Sequence, residues 1–503
     1  MFLDRIVQQT REDLIQRKQA IPLADLIQRA MEQPQPRNLL KAFEPRGEVH
    51  LIAEVKRASP SKGLLAPDLD PVATAQTYEA NGAAVISVLT EPHFFLGSLE
   101  FLAAIKEAVT IPVLRKDFII DEYQIYEARA WGADALLLIC AILDDERLHR
   151  LLTLTHELHM NALVEVHNEQ EAARAVAAGA RVIGVNSRDL ATFKINPYLI
   201  REIRQAIPAD CVIVTESGLH TAADVRRLAR YDVQAMLVGE SLVISHDIPG
   251  QIQMLLHNAN ATTQVKICGL SDTATLDTAV TAGTDMLGFI FYPPSHRYIE
   301  PQQLKALLAA SQSYGTAQQA AGEYDEQVIK KDLQRRAQVR PDLVGVFVNA
   351  EADFINDVAE QVGLHYVQLH GNETPEFCQR IKRPVIKALS VTSEADLAQL
   401  SDYAAVTWRL LIDTPAQEWG GTGRTSDWQL ARQAAQQQKI LLAGGLNSDN
   451  VVQALQTVHP WGLDVSSGVE TNKQKDPEKI RTFLSQIRQY EARAATQQQT
   501  AIR

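Results

Sequence analysis

The sequence predicts an α/β protein made of two tandem (β/α)8 barrels, the first with an N-terminal helical extension, and three observations lead there. Short β-branched or apolar runs alternate with longer segments of helical period, the pattern of a parallel sheet assembled from βα units. Eight such runs fall between residues 48 and 248, and eight more between 264 and 465. Polar and ionisable residues gather at the C-terminal ends of the runs, where a closed barrel keeps its chemistry. An open doubly wound sheet would also alternate strand and helix, so this placement decides for barrels.

Residues 2–43 read as helix, broken near Pro22 and the Pro34 and Pro36 pair, and could lid or floor the first barrel. The first eight strands are expected at 50–55, 83–89, 111–114, 133–139, 161–166, 181–185, 211–214 and 234–238. Between them the helices at 71–81 and 168–178 end in Asn81-Gly82 and Ala178-Gly179, where glycine takes the left-handed position past a helix end. The polar run 257–263 is expected as helix cap or linker. It divides the chain into domains 1–257 and 263–490, followed by a flexible tail at 491–503. The second eight strands are expected at 264–267, 285–291, 342–348, 365–369, 384–389, 408–412, 439–442 and 463–465. Residues 312–340, rich in Gln, Lys, Arg, Glu and Ala, break the pattern between the second and third of these strands and read as helix plus insertion. Lys330-Lys331 and Arg335-Arg336 within them read as solvated faces.

Bulk properties agree with two large domains: 503 residues, 46% hydrophobic, can fill two cores. A net charge of −12 and a pI near 5.6 argue against nucleic acid or an anionic membrane as partner, since both select basic patches. Any phosphate must be held locally. Cys140, Cys211, Cys268 and Cys378 lack C-x-x-C spacing and the density of a disulfide scaffold, which points to a reducing, cytoplasmic setting. Met1-Phe2-Leu3-Asp4-Arg5 is charged at once, and the longest apolar stretch, 133–143, is too short for a bilayer. Neither export nor a membrane span is expected.

In the first barrel Glu54 and Lys56, Lys116, Glu165, Asn186 with Arg188, and Glu216 close successive strands. One charged strand end is ordinarily a solvated terminus; several converging on one mouth supply paired acids and bases. Ser217 and Gly218 after the seventh strand, and Gly239 and Ser241 after the eighth, are small residues whose backbone N–H groups can approach phosphate oxygens, with Ser59 and Ser61 as further donors. The stretches Glu54-Val55-Lys56-Arg57-Ala58-Ser59-Pro60-Ser61-Lys62-Gly63, Lys116-Asp117-Phe118, Gly184-Val185-Asn186-Ser187-Arg188-Asp189-Leu190 and Thr215-Glu216-Ser217-Gly218 together resemble indole-3-glycerol phosphate synthase over residues 1–255. That resemblance implies Lys116 as general acid on the substrate carbonyl, Glu165 as the complementary acid/base group and Lys56 as assistant. It also implies that Glu54, Asn186, Arg188 and Glu216 orient or polarise the substrate while Ser59, Gly218, Gly239 and Ser241 hold its phosphate. Ring closure, decarboxylation and dehydration need proton donors and acceptors but no redox centre, so no metal or organic cofactor is expected.

The second barrel opens on Lys266-Ile267-Cys268-Gly269. An isolated cysteine is ordinarily a small buried hydrophobe. Here Asp413 ends the sixth strand across the mouth, so a thiolate base and a carboxylic acid can flank one sugar. Gly420-Gly421-Thr422-Gly423 reads as a flexible loop; Gly444 and Gly445 after strand seven, with Ser466 and Ser467 after strand eight, match a phosphate cradle. Arg297 offers a planar fork to an aromatic carboxylate. With Val367-Gln368-Leu369-His370-Gly371-Asn372-Glu373, these motifs resemble phosphoribosylanthranilate isomerase over residues 263–490. The resemblance implies Cys268 as the base that removes the ribose C2′ proton and Asp413 as the acid that opens the ring. The isomerase product is the synthase substrate, so the substrates expected are small phosphorylated anthranilate sugars.

Two competing readings remain at this stage. Another pair of sugar-phosphate barrel activities, such as histidine-pathway isomerisation or thiamine-phosphate synthesis, would share the phosphate loops but not the Cys268 and Asp413 pairing or the long Glu54 to Gly63 motif. A regulatory phosphometabolite-binding protein would retain ligand without turnover. Oligomeric state is open in the sequence, with a monomer the expectation because fused barrels can cover surface that single barrels hide by dimerising.

Overall fold

The structure, a computed structural model, describes residues 2–502 apart from 46, 191, 321–323, 326–339 and 414–427, and the side chains of 317–320, 324–325 and 495–502 are left aside. The chain divides into two compact units, the first built on residues 1–260 and the second on residues 261–320 and 338–503. Each contains a closed barrel of eight parallel strands. The tandem-barrel expectation therefore holds.

In the first barrel the strands are His50–Val55, Ala83–Leu89, Val113–Lys116, Ala135–Ile139, Asn161–Val166, Val182–Asn186, Val212–Glu216 and Ala235–Val238, and the last pairs with the first through Leu51↔Met236. Alternation along each strand sorts the side chains into two layers. Leu51, Ala53 and Val55 face outward into the core shared with the helices, while Ile52 fills the barrel interior. Leu114, Leu163, Val182, Val214 and Leu237 join Ile52 inside. Each fully buried aliphatic side chain of this kind contributes roughly 1.5–3 kcal/mol relative to exposure.

The N-terminal extension does both jobs expected of it. Helices Phe2–Ala20 and Leu23–Glu32 are interrupted at Pro22, as the missing proline N–H requires. Phe2, Leu3 and Ile6 reach the barrel mouth, whereas Leu39 and Phe43 plug the interior from the opposite end. The plug is held there because the Leu39 N–H donates to Asn161 Oδ1 (3.2 Å) and the Arg37 N–H to Asp134 Oδ1 (2.6 Å), both at strand beginnings. The two helix ends marked by glycine have the expected geometry, with φ of 102° at Gly82 and 94° at Gly179.

The second barrel runs Gln264–Cys268, Met286–Ile290, Asp342–Phe347, Tyr366–Leu369, Val385–Ser390, Arg409–Asp413, Ile440–Leu442 and Gly462–Val465, closing through Val265↔Leu463. Met286, Val344, Tyr366, Ile386, Leu411 and Leu441 fill its interior.

Two boundaries differ from expectation. The polar run 257–263 is mostly helix, since Ile248–Asn260 continues through it. Asn260 is part of the first unit: its side chain accepts from the Val49 N–H (2.6 Å) and donates to the Val49 carbonyl (2.9 Å). Residues 491–502, expected as a flexible tail, continue the helix Pro477–Ile502; Glu491 anchors its turn by accepting from the Thr263 N–H (2.6 Å) and from Arg488 (2.9 Å). Of the expected insertion, helix Gln312–Ala320 and Tyr324–Asp325 are described, while Lys330, Lys331, Arg335 and Arg336 lie outside the described residues.

Two candidate active sites

The layering of the first barrel carries its side chains to the mouth. Two residues beyond an interior-filling apolar group, on the same face of the strand, stand Glu54 above Ile52, Lys116 above Leu114, Glu165 above Leu163 and Glu216 above Val214. Asn186 is reached past Gly184, and Gly239 follows Leu237. All thirteen residues expected at this mouth line one cavity: Glu54, Lys56, Ser59, Ser61, Lys116, Glu165, Asn186, Arg188, Glu216, Ser217, Gly218, Gly239 and Ser241.

Lys116 is the hub. Its Nζ lies 3.1 Å from Glu216 Oε2 and 3.4 Å from Glu165 Oε2, and Lys56 pairs with Glu54 at 2.8 Å. Burial works against the Lys116 ammonium, but Glu216, Glu165 and Glu54 outweigh it and raise its pKa. The same burial acts on the two carboxylates with opposite outcomes. In Glu165 it is overcome by Lys116 and then His167, so the group is held below the usual carboxylate range; in Glu216 it prevails with help from Glu165, and the pKa rises. Environments that push two carboxyl groups apart in this way separate an acceptor from a proton carrier.

Glycines make the approach possible. A Cβ on Gly239 would run into the Glu54 carboxylate, and one on Gly184 into that of Glu216. Ser217 and Gly218 both have positive φ, 66° and 72°, which turns the chain after the seventh strand. The Ser217 hydroxyl donates to Asn186 Oδ1 (2.8 Å), the Ser241 hydroxyl to the Leu219 carbonyl (2.9 Å), and the Ser59 hydroxyl is buried without a hydrogen-bond partner. Phe2, Phe95, Phe118 and Phe193 wall the cavity, an apolar surface for an aromatic ring that the sequence reading did not anticipate. The pairing of Lys62 with Glu240, which lines the cavity, was not anticipated either.

In the second barrel Cys268, Arg297, Asp413, Gly444, Gly445, Ser466 and Ser467 line one cavity with Gln368, His370 and Asp464. Cys268 stands two residues beyond Lys266 on the same strand face. Lys266 is fully buried and salt-bridged to Asp464 (3.0 Å), and the register pairs those two residues across neighbouring strands. Burial raises the Cys268 pKa, and Lys266 and Lys475 only partly offset it. Asp413 Oδ2 lies 3.3 Å from His370 Nε2, whose Nδ1 is 3.1 Å from Gln368 Nε2. Gly444 and Gly445 have φ of 85° and 63°, and the Ser466 hydroxyl donates to the Cys268 carbonyl (3.2 Å).

One expectation needs correction. The Arg297 fork is not open to a carboxylate: Nε and Nη2 bind Glu470 Oε1 and Oε2 at 2.6 and 2.9 Å. Glu470 is held down to about 2 because Arg297 and Lys475 overcome its burial. The Gly420 to Gly423 loop lies outside the described residues. Lys266 was legible in principle, since period two places it beneath Cys268; Glu470 and Lys475 belong to the turn after the last strand and carried no such signal. Among the described residues no group of three or more His, Cys, Asp or Glu is placed to hold a metal ion, and no helix is long and apolar enough to cross a membrane.

Two (β/α)8 barrels, each with acid/base groups and a glycine-serine cradle at its mouth, define a tandem of sugar-phosphate enzymes. A family model of indole-3-glycerol phosphate synthase matches residues 3–255, and one of N-(5'-phosphoribosyl)anthranilate (PRA) isomerase matches 308–486. The second match starts after the barrel's first two strands, which nonetheless complete the closed sheet. The tryptophan biosynthesis protein TRP1 of Phytophthora nicotianae is 38% identical over 470 residues, covering 84% of this chain and 88% of that protein. An indole-3-glycerol phosphate synthase of Dehalococcoides mccartyi is 50% identical over 260 residues, 51% of this chain and 100% of that protein. A multifunctional tryptophan biosynthesis protein of Phycomyces blakesleeanus is 36% identical over 492 residues; 90% of this chain is covered, but the chain spans only 64% of that relative. The chain belongs to the indole-3-glycerol phosphate synthase family and carries a phosphoribosylanthranilate isomerase domain in its second half, a lyase and an isomerase of tryptophan biosynthesis on one polypeptide.

Proposed function

We propose that the chain catalyses two consecutive steps: the second barrel converts N-(5-phosphoribosyl)anthranilate to 1-(2-carboxyphenylamino)-1-deoxyribulose 5-phosphate, and the first closes the indole ring with loss of CO2 and water. The observation that carries this reading is that each mouth has its own proton donors and acceptors, Lys116 between Glu165 and Glu216 in one, Cys268 with Asp413 in the other.

In the first mouth Lys116, held as an ammonium, protonates the substrate carbonyl oxygen as the carboxyl-bearing ring carbon bonds to the carbonyl carbon, and CO2 then leaves that ring carbon. Glu165, ionised, accepts a proton, and Glu216, whose carboxyl keeps its proton to higher pH, serves the departing hydroxyl from Lys116's other side. Lys56 assists through Glu54, Asn186 and Arg188 orient the substrate, and the phenyl walls receive the anthranilate ring. Ser59, Gly218, Gly239 and Ser241 hold the phosphate. In the second mouth Asp413 donates to the ribose ring oxygen and Cys268 removes the C2′ proton, an Amadori rearrangement that moves two protons and needs no oxidant. Gly444, Gly445, Ser466 and Ser467 cradle the phosphate.

The substrates are small phosphorylated molecules, and we place the protein in the cytoplasm as a monomer that binds neither nucleic acid nor membrane. The test is to supply phosphoribosylanthranilate to the purified chain and follow both products. Unchanged substrate would refute the isomerase assignment, and accumulation of the open-chain ketose without indole-3-glycerol phosphate would refute the synthase assignment.

A further inference from the structure

His167 takes no part in the roles assigned above, yet it touches one of the groups that do. It follows the fifth strand directly, two residues after Glu165, and its side chain is only 12% exposed. The ring lies between two carboxylates: Nε2 is 3.2 Å from Glu165 Oε1, and Nδ1 is 3.1 Å from Glu171 Oε2. The second contact is a hydrogen bond, and the same Glu171 oxygen accepts the His167 N–H at 2.8 Å; the first is an ion contact without hydrogen-bond alignment. Glu171 is itself fixed by Asn168 Nδ2 at 2.9 Å, at the start of helix Glu169–Ala178.

A neutral imidazole has one N–H and would turn a lone pair toward one of these carboxylates; only the imidazolium presents a positive N–H edge to both. Glu165 thereby has a cation on each oxygen, Lys116 on Oε2 and His167 on Oε1. We propose that His167, as an imidazolium seated between Glu165 and Glu171, is a positioning residue of the synthase reaction that fixes the Glu165 oxygen Lys116 leaves and keeps that carboxylate ionised. This rests on Glu165 being a catalytic group of the synthase.

The electrostatics agree. Burial disfavours the imidazolium, but Glu165 and Glu171 outweigh it and push the His167 pKa up to about 10. The other charged or titratable groups packed around it are Lys116, beyond Glu165; Arg174, on the Glu171 helix, with its partner Asp145; and Cys140, whose thiol burial and the same two carboxylates push up to about 12. None supplies a competing base at neutral pH.

The experiment compares His167→Gln with the unaltered full chain. Glutamine keeps one donor and loses the charge. The expected result is a loss of about tenfold to a hundredfold in synthase kcat, of the size that misplacing a catalytic group produces, with KM little changed and the acid limb of the kcat/KM profile moved to higher pH. Isomerase turnover of the same preparation stays normal and reports that the chain is folded. An unmoved acid limb overturns the proposal. In the unaltered chain, NMR of 13C-labelled histidine should find His167 still protonated at pH 8, a readout independent of how the variant folds; titration near 6.5 would overturn the proposal as well. Glu165→Gln separates the two readings: if it retains synthase activity, the role of Glu165 fails, and if it is inactive while His167→Gln is unaffected, only the present inference fails.

Discussion

The two barrels share an architecture and differ in how they keep charge at the mouth. The first holds three buried carboxylates, Glu54, Glu165 and Glu216, around Lys56 and Lys116, and the balance of burial against those cations moves Glu165 and Glu216 in opposite directions. In the second a thiol and a carboxylate face the cavity, and the buried ammonium of Lys266 lies beneath the thiol, balanced by Asp464. The contrast follows the chemistry proposed for each. Condensing a ring with loss of CO2 and water requires several proton positions around one substrate, whereas an Amadori rearrangement requires one base and one acid.

Loss of a hub should be the largest effect. Lys116→Ala removes the cation common to three carboxylates and should lower synthase kcat by about 10²–10⁴-fold, the usual worth of a positioned acid, with isomerase turnover unchanged in the same tube. Loss of both activities in a folded variant would remove the independence of the mouths. In the second barrel Cys268→Ala and Asp413→Asn should each lower isomerase kcat over that same range of about 10²–10⁴-fold. The double variant should be only slightly worse than the poorer single one, since the proton given to the ring oxygen and the proton taken from C2′ belong to one coupled step. Multiplying losses would mean that they act in separate steps.

The pH profiles should separate the mouths. Glu165 is depressed, so its base form persists well below neutrality and the synthase should hold its activity as pH falls. The Cys268 thiol is raised, so its base form grows only as pH rises and isomerase kcat/KM should climb through the alkaline range. Coincident acid limbs would contradict both assignments. A smaller effect is steric. Gly239→Ala pushes a methyl against Glu54, and Gly288→Ala pushes one to within 3.0 Å of Cys268 Sγ and 2.9 Å of Lys266 Cε. Each should cost about 1–3 kcal/mol as overpacking, read by thermal melting, and impair only its own activity. Smallest of all, cutting the chain after Ala261 should leave a soluble, active synthase half. A cut near Asn258 would instead remove Asn260 and its two bonds to Val49.

Much of this was legible in the sequence because strand ends carry two signals at once, apolar alternation and then a polar residue on the same face. Glu54, Lys116, Glu165 and Glu216 are all found that way. The third strand shows where the signal fails. It was read as 111–114 but runs Val113–Lys116. Arg115 looks like a strand terminus and is instead fully buried, because Asp117 and Glu127 take its guanidinium at 2.9 and 2.8 Å. Buried charges with distant partners defeat local reading. The Glu470 clamp on Arg297 escaped for the same reason, since its two partners lie 173 residues apart in sequence and are brought together by the fold.

Two inactivated chains test the independence of the mouths in a single mixture. Lys116→Ala protein should convert phosphoribosylanthranilate only as far as the open-chain ketose, and Cys268→Ala protein should leave it untouched. Mixed in equal amounts, the two should form indole-3-glycerol phosphate, because the ketose released by one chain meets an intact first barrel on the other. A mixture of folded variants that makes none, or either variant making it alone, would contradict two complete and separate active sites.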